Sequence, residues 1–127
     1  MNLKSLKMKF NQFEICLADL DPKFGTESGK SRPVLIVQSD LLNKVHPSTI
    51  VCPITTNIKN GVSILRVNLK KGEGGMKKPS SIMIDQIRAI DNKRFVKKIG
   101  TLPKKLQSLV VNNIAIILDI HLNKQNT

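Results

Sequence analysis

The chain changes its hydrophobic period once, and no other feature constrains its fold as tightly. Up to residue 100 the apolar residues come in short alternating or unbroken runs interrupted by Pro, Gly, Asn and Asp. Beyond it Leu102, Leu106, Leu109, Val110, Ile114, Ile117 and Leu118 recur at intervals of three and four. The short runs are strands, and the later spacing places an apolar stripe along one amphipathic helix. Strands are expected at residues 13–19, stopped by Asp21-Pro22, at 33–38 and at 49–55. Residues 62–69 set Leu65, Val67 and Leu69 on one face and Ile64, Arg66 and Asn68 on the other, as a half-buried strand does. Residues 80–90 and 95–100 complete the set, and residues 39–43 suit a helical turn. Short connections make the sheet mostly antiparallel and favour closure into a small barrel. Residues 23–31, with Gly25 and Gly29, and residues 70–79, with Gly72, Gly74 and Gly75, are expected to be loops, the second basic and mobile. Thr101 is the expected helix N-cap, with Pro103 in the first turn. Val111, Ala115 and Ile116 extend the helix's apolar surface beyond one core, which points to burial against another subunit.

A chain of 127 residues is too short for two adequate cores, so one is expected. No run approaches the roughly 20 apolar residues of a membrane helix. Lys4, Lys7 and Lys9 stand in the first ten residues without an apolar segment, unlike a secretory signal, so a cytoplasmic location is expected. Cys16 and Cys52 lie in apolar runs with no partner at ligand spacing, which favours two buried thiols over a disulfide or a zinc site. The net charge is +12, and residues 66–105 hold twelve basic and three acidic side chains. Such an excess attracts polyanions, nucleic acid above all, although a Lys-rich solubilising surface gives the same count.

Three segments carry a resemblance. Ala18-Asp19-Leu20-Asp21-Pro22, followed by Gly25-Thr26-Glu27-Ser28-Gly29-Lys30-Ser31-Arg32-Pro33-Val34, resembles the opening of MazF/PemK toxins. Ile50-Val51-Cys52-Pro53-Ile54-Thr55-Thr56 resembles that family's "V.PIT" strand, and Asp85-Gln86-Ile87-Arg88-Ala89-Ile90-Asp91 its "DQIRTID" strand. In this order and spacing they identify the chain as a member of the MazF/PemK family. The resemblance implies an α+β fold that is mainly β, an SH3-like antiparallel barrel of the MazF/Kid/CcdB type with a C-terminal helix. It implies a basic N-terminal extension at 1–10, one such domain at 11–122 and a polar tail at 123–127. It further implies a homodimeric toxin of a toxin–antitoxin system, an mRNA interferase that cuts single-stranded RNA at short sequences and is inhibited by a MazE-like antitoxin. No metal and no cofactor are expected, because the RNA's own 2′-hydroxyl can attack the adjacent phosphorus.

That route still requires charge stabilisation on the phosphoryl oxygens and two proton transfers. Arg32 suits the first task, since a guanidinium donates a planar fork of hydrogen bonds and stays charged; by resemblance it is the family's catalytic Arg. A loop-end ion pair is the ordinary alternative. Thr55 occupies the family's catalytic threonine position, though a strand-end hydroxyl also caps turns. Phe24, Glu27, Ser31, Thr56, Asp85 and Gln86 are the candidate RNA-binding residues. Glu27 can orient Arg32, read a base edge or simply be solvated. Phe24 can stack on a base or fold into the core. Asp85 and Gln86, as strand neighbours, would point to opposite faces, so that at most one lines the groove directly. Some relatives, Kid among them, carry an Arg-x-Asp pair here, and this chain has Met83 in place of that Arg. The acid and base are therefore unassigned. His46, beside Pro47, matches no family position, and His121 suits a charge partner at the helix end. A CcdB-like gyrase poison and a non-catalytic RNA-binding barrel are the competing readings.

Overall fold

The computed structural model describes residues 9–22, 24–27, 30–59, 61 and 63–121. Most of the basic N-terminal extension and the whole polar tail lie outside these residues. The strands are β1 (Glu14–Asp19), β2 (Ser31–Ile36), β3 (Ser48–Thr55), β4 (Arg66–Leu69), β5 (Ser80–Met83), β6 (Arg88–Asp91) and β7 (Phe95–Thr101). The helices are a single turn, α1 (Asp40–Asn43), and α2 (Lys104–Ile117). All strand pairs are antiparallel, in the order β4-β5-β3-β2-β1-β7, with β6 also paired to β3. The expected class is therefore the observed one.

Both faces of the central strands are buried, which is why β2 reads as an unbroken apolar run rather than an alternation. Ile15, Leu35, Cys52 and Ile54 point to one side, where Leu102, Val110, Leu106, Ile114 and Ile117 cover them. Cys16, Ala18, Val34, Ile36 and Val51 point to the other, closed by Leu20, Phe10 and Phe95, whose rings lie 4.3 Å apart at 40°.

Five expectations are corrected. The strands do not close into a barrel. Between β4 and β7 lies a 3-10 turn, Glu73–Gly75, pressed onto β7 and β1. A Cβ on Gly75 would stand 2.6 Å from Ile99 O, so this turn takes the place of a closing ladder. For the same reason residues 70–79 are a packed element: Met76 is buried, and the Glu73 carboxylate accepts from Lys70 N–H at 2.7 Å and pairs with Lys105 at 2.9 Å.

The third correction concerns residues 80–90, which are two strands rather than one. Ile82 faces Ile54 and Arg88 faces Val51, so six steps on this side match three on β3. The surplus forms the 3-10 turn Ile84–Gln86. Val37 N–H donates to Ile50 O at 3.1 Å, which fixes the hydrogen-bonded pairs of β2 and β3 and turns the nitrogen of Pro53 toward this turn. Proline has no N–H to offer a partner strand there. A similar 3-10 turn, Ser63–Leu65, precedes β4, so the strand expected from residue 62 begins only at Arg66. Finally, Thr101 ends β7 and the helix N-cap is Pro103, which makes no side-chain cap.

Candidate active site

β2 brings Arg32 to the end of the sheet that carries the loops. Val34 faces Pro53, and the same register carried two residues on sets Arg32 opposite Thr55. Such a pair shares one face, with Cβ atoms roughly 5 Å apart. Both side chains line a cavity of about 400 Å³. Lys30, Lys59 and Arg66 add three more cations to its wall, and Glu27 is the one carboxylate among the described lining residues. Thr26, Asn57, Gln86 and Met83 complete it. Four cations against one anion on a polar surface suit a phosphate-bearing ligand.

The loop that supplies Glu27 is held at both ends. At its base Leu20 N–H donates to Lys30 O at 2.9 Å, and the Asp21 carboxylate accepts from Lys30 N–H. The Arg94 guanidinium donates to Asp19 O and Asp21 O at 2.9 and 2.7 Å. At its tip the Gln86 amide donates to Thr26 O at 3.1 Å. The 3-10 turn that breaks residues 80–90 thus presents Gln86 both to the loop and to the cavity. Thr55 Oγ1 accepts from Asn57 N–H at 3.1 Å, which leaves the hydroxyl proton to donate. Capping the turn and facing the cavity are compatible here.

Of the residues expected from sequence, Arg32, Thr55, Glu27 and Gln86 come together. Asp85 does not line the cavity but pairs with Arg66, Oδ1 to Nε, at 3.7 Å. Since both Asp85 and Gln86 belong to a turn, their strand-based opposition of faces does not apply. Phe24 is 71% exposed on the loop, neither in the core nor against the cavity. Ser31 is exposed opposite Asp19. Thr56, one residue past Thr55, turns to the reverse face and lines a second cavity with Leu17, Pro33 and the rim lysines Lys77, Lys78, Lys97 and Lys98. His46 accepts from Ser48 N–H at its own turn, away from the site. His121 lies past the end of α2, paired with Asp119 at 2.9 Å.

The residue that sequence reasoning missed is Arg66. It stands opposite Met83 across β4 and β5, and only that pairing brings it to the wall. Both thiols are buried. Burial, then the charge of Asp85, pushes Cys52 up to about 12. Burial, then Glu14, pushes Cys16 up to about 11, so neither thiol is a nucleophile at neutral pH.

Residues 11–118 match the family model described as PemK-like, MazF-like toxin of type II toxin-antitoxin system. The chain is 38% identical over 108 residues to an Endoribonuclease MazF of Staphylococcus saprophyticus, covering 85% of this chain and 90% of the relative. MazF (Form-I) from Deinococcus radiodurans superposes with a TM-score of 0.78 at 20% identity, over 90% of this chain and 100% of that one. A structure titled MazE-MazF (Form-II) from the same organism gives 0.73 at 20% identity, over 91% and 100%. At these identities the two structures establish a shared fold.

Proposed function

This chain belongs to the PemK-like, MazF-like toxin family of type II toxin–antitoxin systems, and we propose that it is a sequence-specific endoribonuclease for single-stranded RNA. The observation that carries this reading is the placement of Arg32 opposite Thr55 in a polar cavity dominated by cations. In the reaction the 2′-oxygen bonds to phosphorus as the bond from phosphorus to the 5′-oxygen breaks. One proton leaves the 2′-hydroxyl and one reaches the 5′-oxygen. The products are a 2′,3′-cyclic phosphate and a 5′-hydroxyl end. Arg32 stabilises the charge that accumulates on the phosphoryl oxygens, and the Thr55 hydroxyl donates a further hydrogen bond. Because fixed donors supply this stabilisation, the route calls for no metal.

Glu27 and Gln86 read the bases beside the cut, a role supported by their shared place in the cavity wall and by the hydrogen bond from Gln86 to the loop at Thr26 O. Phe24 and Ser31, both exposed outside the cavity, would meet only flanking nucleotides, and Thr56, which lines the second cavity on the reverse face, would not touch the same stretch of RNA. Residues 11–122 act as one domain. The partner is a MazE-like antitoxin, supported by the MazE-MazF structure of similar fold. The working unit is a homodimer, supported by exposed Ile116, Leu118 and Ile120. The site of action is the cytoplasm, in keeping with the absence among the described residues of any helix long and apolar enough to cross a membrane.

Incubation of the purified protein with end-labelled RNA in EDTA tests the reading. Discrete cuts with 5′-hydroxyl ends are expected. Intact RNA would favour a gyrase poison or a domain that only binds RNA.

A further inference from the structure

Arg66 enters the cavity from the wall opposite Arg32. Between their strands, β4 and β2, stand β5 and β3. Three strand spacings of about 4.8 Å separate the two backbones, roughly 14 Å along the sheet. The Arg66 guanidinium is drawn to its own side by Asp85, which it meets through Nε at 3.7 Å. A guanidinium carries five N–H donors in a planar fork, so contact at Nε leaves the four on the terminal nitrogens for another acceptor. Arg66 is only 20% exposed, and its side chain lies against the cavity rather than in open solvent. Arg66 thus supplies a second guanidinium to the cavity, held by Asp85 and carried two strands beyond the pair that sets Arg32 against Thr55.

We propose that Arg66 binds the phosphate adjoining the one that is cleaved, and that Asp85 is a positioning residue that holds the guanidinium in place. The inference rests on the endoribonuclease reading. A contact to a non-reacting phosphate is made equally in the bound substrate and in the transition state. It therefore lowers KM and leaves kcat nearly alone. Arg66 and Arg32 thus divide the work between substrate binding and chemistry. Asp85, expected from sequence to touch bases, acts here through Arg66.

The experiment uses the full chain and an oligoribonucleotide holding a cut site mapped with the wild type. Two further oligonucleotides replace the linkage on the 5′ or the 3′ side of the cut by an uncharged methylphosphonate. Arg66→Ala should raise KM on the natural oligonucleotide about 10-fold, with kcat within about 2-fold. One of the two neutral linkages should raise the wild-type KM by a similar factor and have no further effect on Arg66→Ala. Asp85→Asn should give a smaller rise at the same linkage. Arg66→Lys, which keeps the charge without the fork, should recover part of the loss. With a 2′-O-methylated oligonucleotide, which tests binding without cleavage, the slope of log affinity against log salt should be shallower by about 0.7 in Arg66→Ala. Unchanged KM, a fall in kcat with unchanged KM, or additive effects of Arg66→Ala with both neutral linkages would overturn the assignment. If the wild type bound RNA with steep salt dependence but cut nothing, the cleavage reading would fail instead.

Discussion

Gly100 and Gly74 meet backbone to backbone: a methyl group on Gly100 would overlap the Gly74 carbonyl. The contact presses the 3-10 turn Glu73–Gly75 onto β7. Since the neighbour is main chain rather than a side-chain tip, it cannot swing aside. Gly100→Ala should therefore destabilise the fold by about 1–3 kcal/mol, as overpacking does. Urea unfolding monitored by circular dichroism measures this. An unchanged midpoint would mean that the turn yields freely.

That contact also shows where the sequence stops being legible. Glycines at 72, 74 and 75 read as a mobile loop because composition reports backbone freedom and not what the backbone touches. The strands with clear patterns were readable, among them the one expected at 33–38 from the unbroken apolar run Val34 to Val37. The helix was readable from its spacing. The division of residues 80–90 was not, because it arises from Pro53 on a different strand. Arg32, Thr55, Glu27 and Gln86 could be picked from local motifs. Arg66 could not, since its place in the cavity depends on facing Met83.

The chemistry predicts separable losses at the paired strand positions. Arg32→Ala should reduce the cleavage rate by roughly 10²-fold or more, with a much smaller change in RNA binding. Thr55→Ala should lose less, because a neutral hydroxyl makes a weaker hydrogen bond than a guanidinium. Thr55→Ser should restore part of it, keeping also the bond from Asn57 N–H. EDTA should leave the wild-type rate unchanged, and 2′-O-methylation at the cut should abolish cleavage. Cleavage that survives methylation would remove the 2′-hydroxyl as nucleophile.

The buried thiols give a pH dependence of known sign. Cys52 is raised from 9.0 to about 12 and Cys16 from 9.0 to about 11. Well below pH 9, at about pH 7, both are protonated whether the chain is folded or not, and they contribute no slope. Around pH 9 and above, the unfolded chain loses these protons while the folded chain keeps them, so stability falls as pH rises from about 9 towards 12. Urea midpoints should decline over that range, and replacing Cys52 with Ala should flatten the decline. At pH 8 a thiol reagent should modify either cysteine only after unfolding. Rapid stoichiometric modification of the native protein would contradict this.

Adjacent isoleucines on α2 separate folding from assembly. Ile117 packs against the core beside Val110, Leu106 and Ile114. Ile116 is 55% exposed, and Leu109, one helical repeat before it, is exposed on the same side, with Leu118 and Ile120 exposed just past the helix end. So much exposed apolar surface on one short segment is best covered by a second copy, and sedimentation at micromolar concentration should give about twice the chain mass of 14.1 kDa. Ile116→Asp places its charge at the uncovered side, where water can solvate it in a free chain. It should yield a monomer with helix and sheet content intact. Ile117→Asp places the same charge against the core and should cost several kcal/mol of fold stability at any concentration. A wild type that sediments at the mass of one chain would leave the exposed side of α2 without a self-partner, and Ile116→Asp would then change neither mass nor stability.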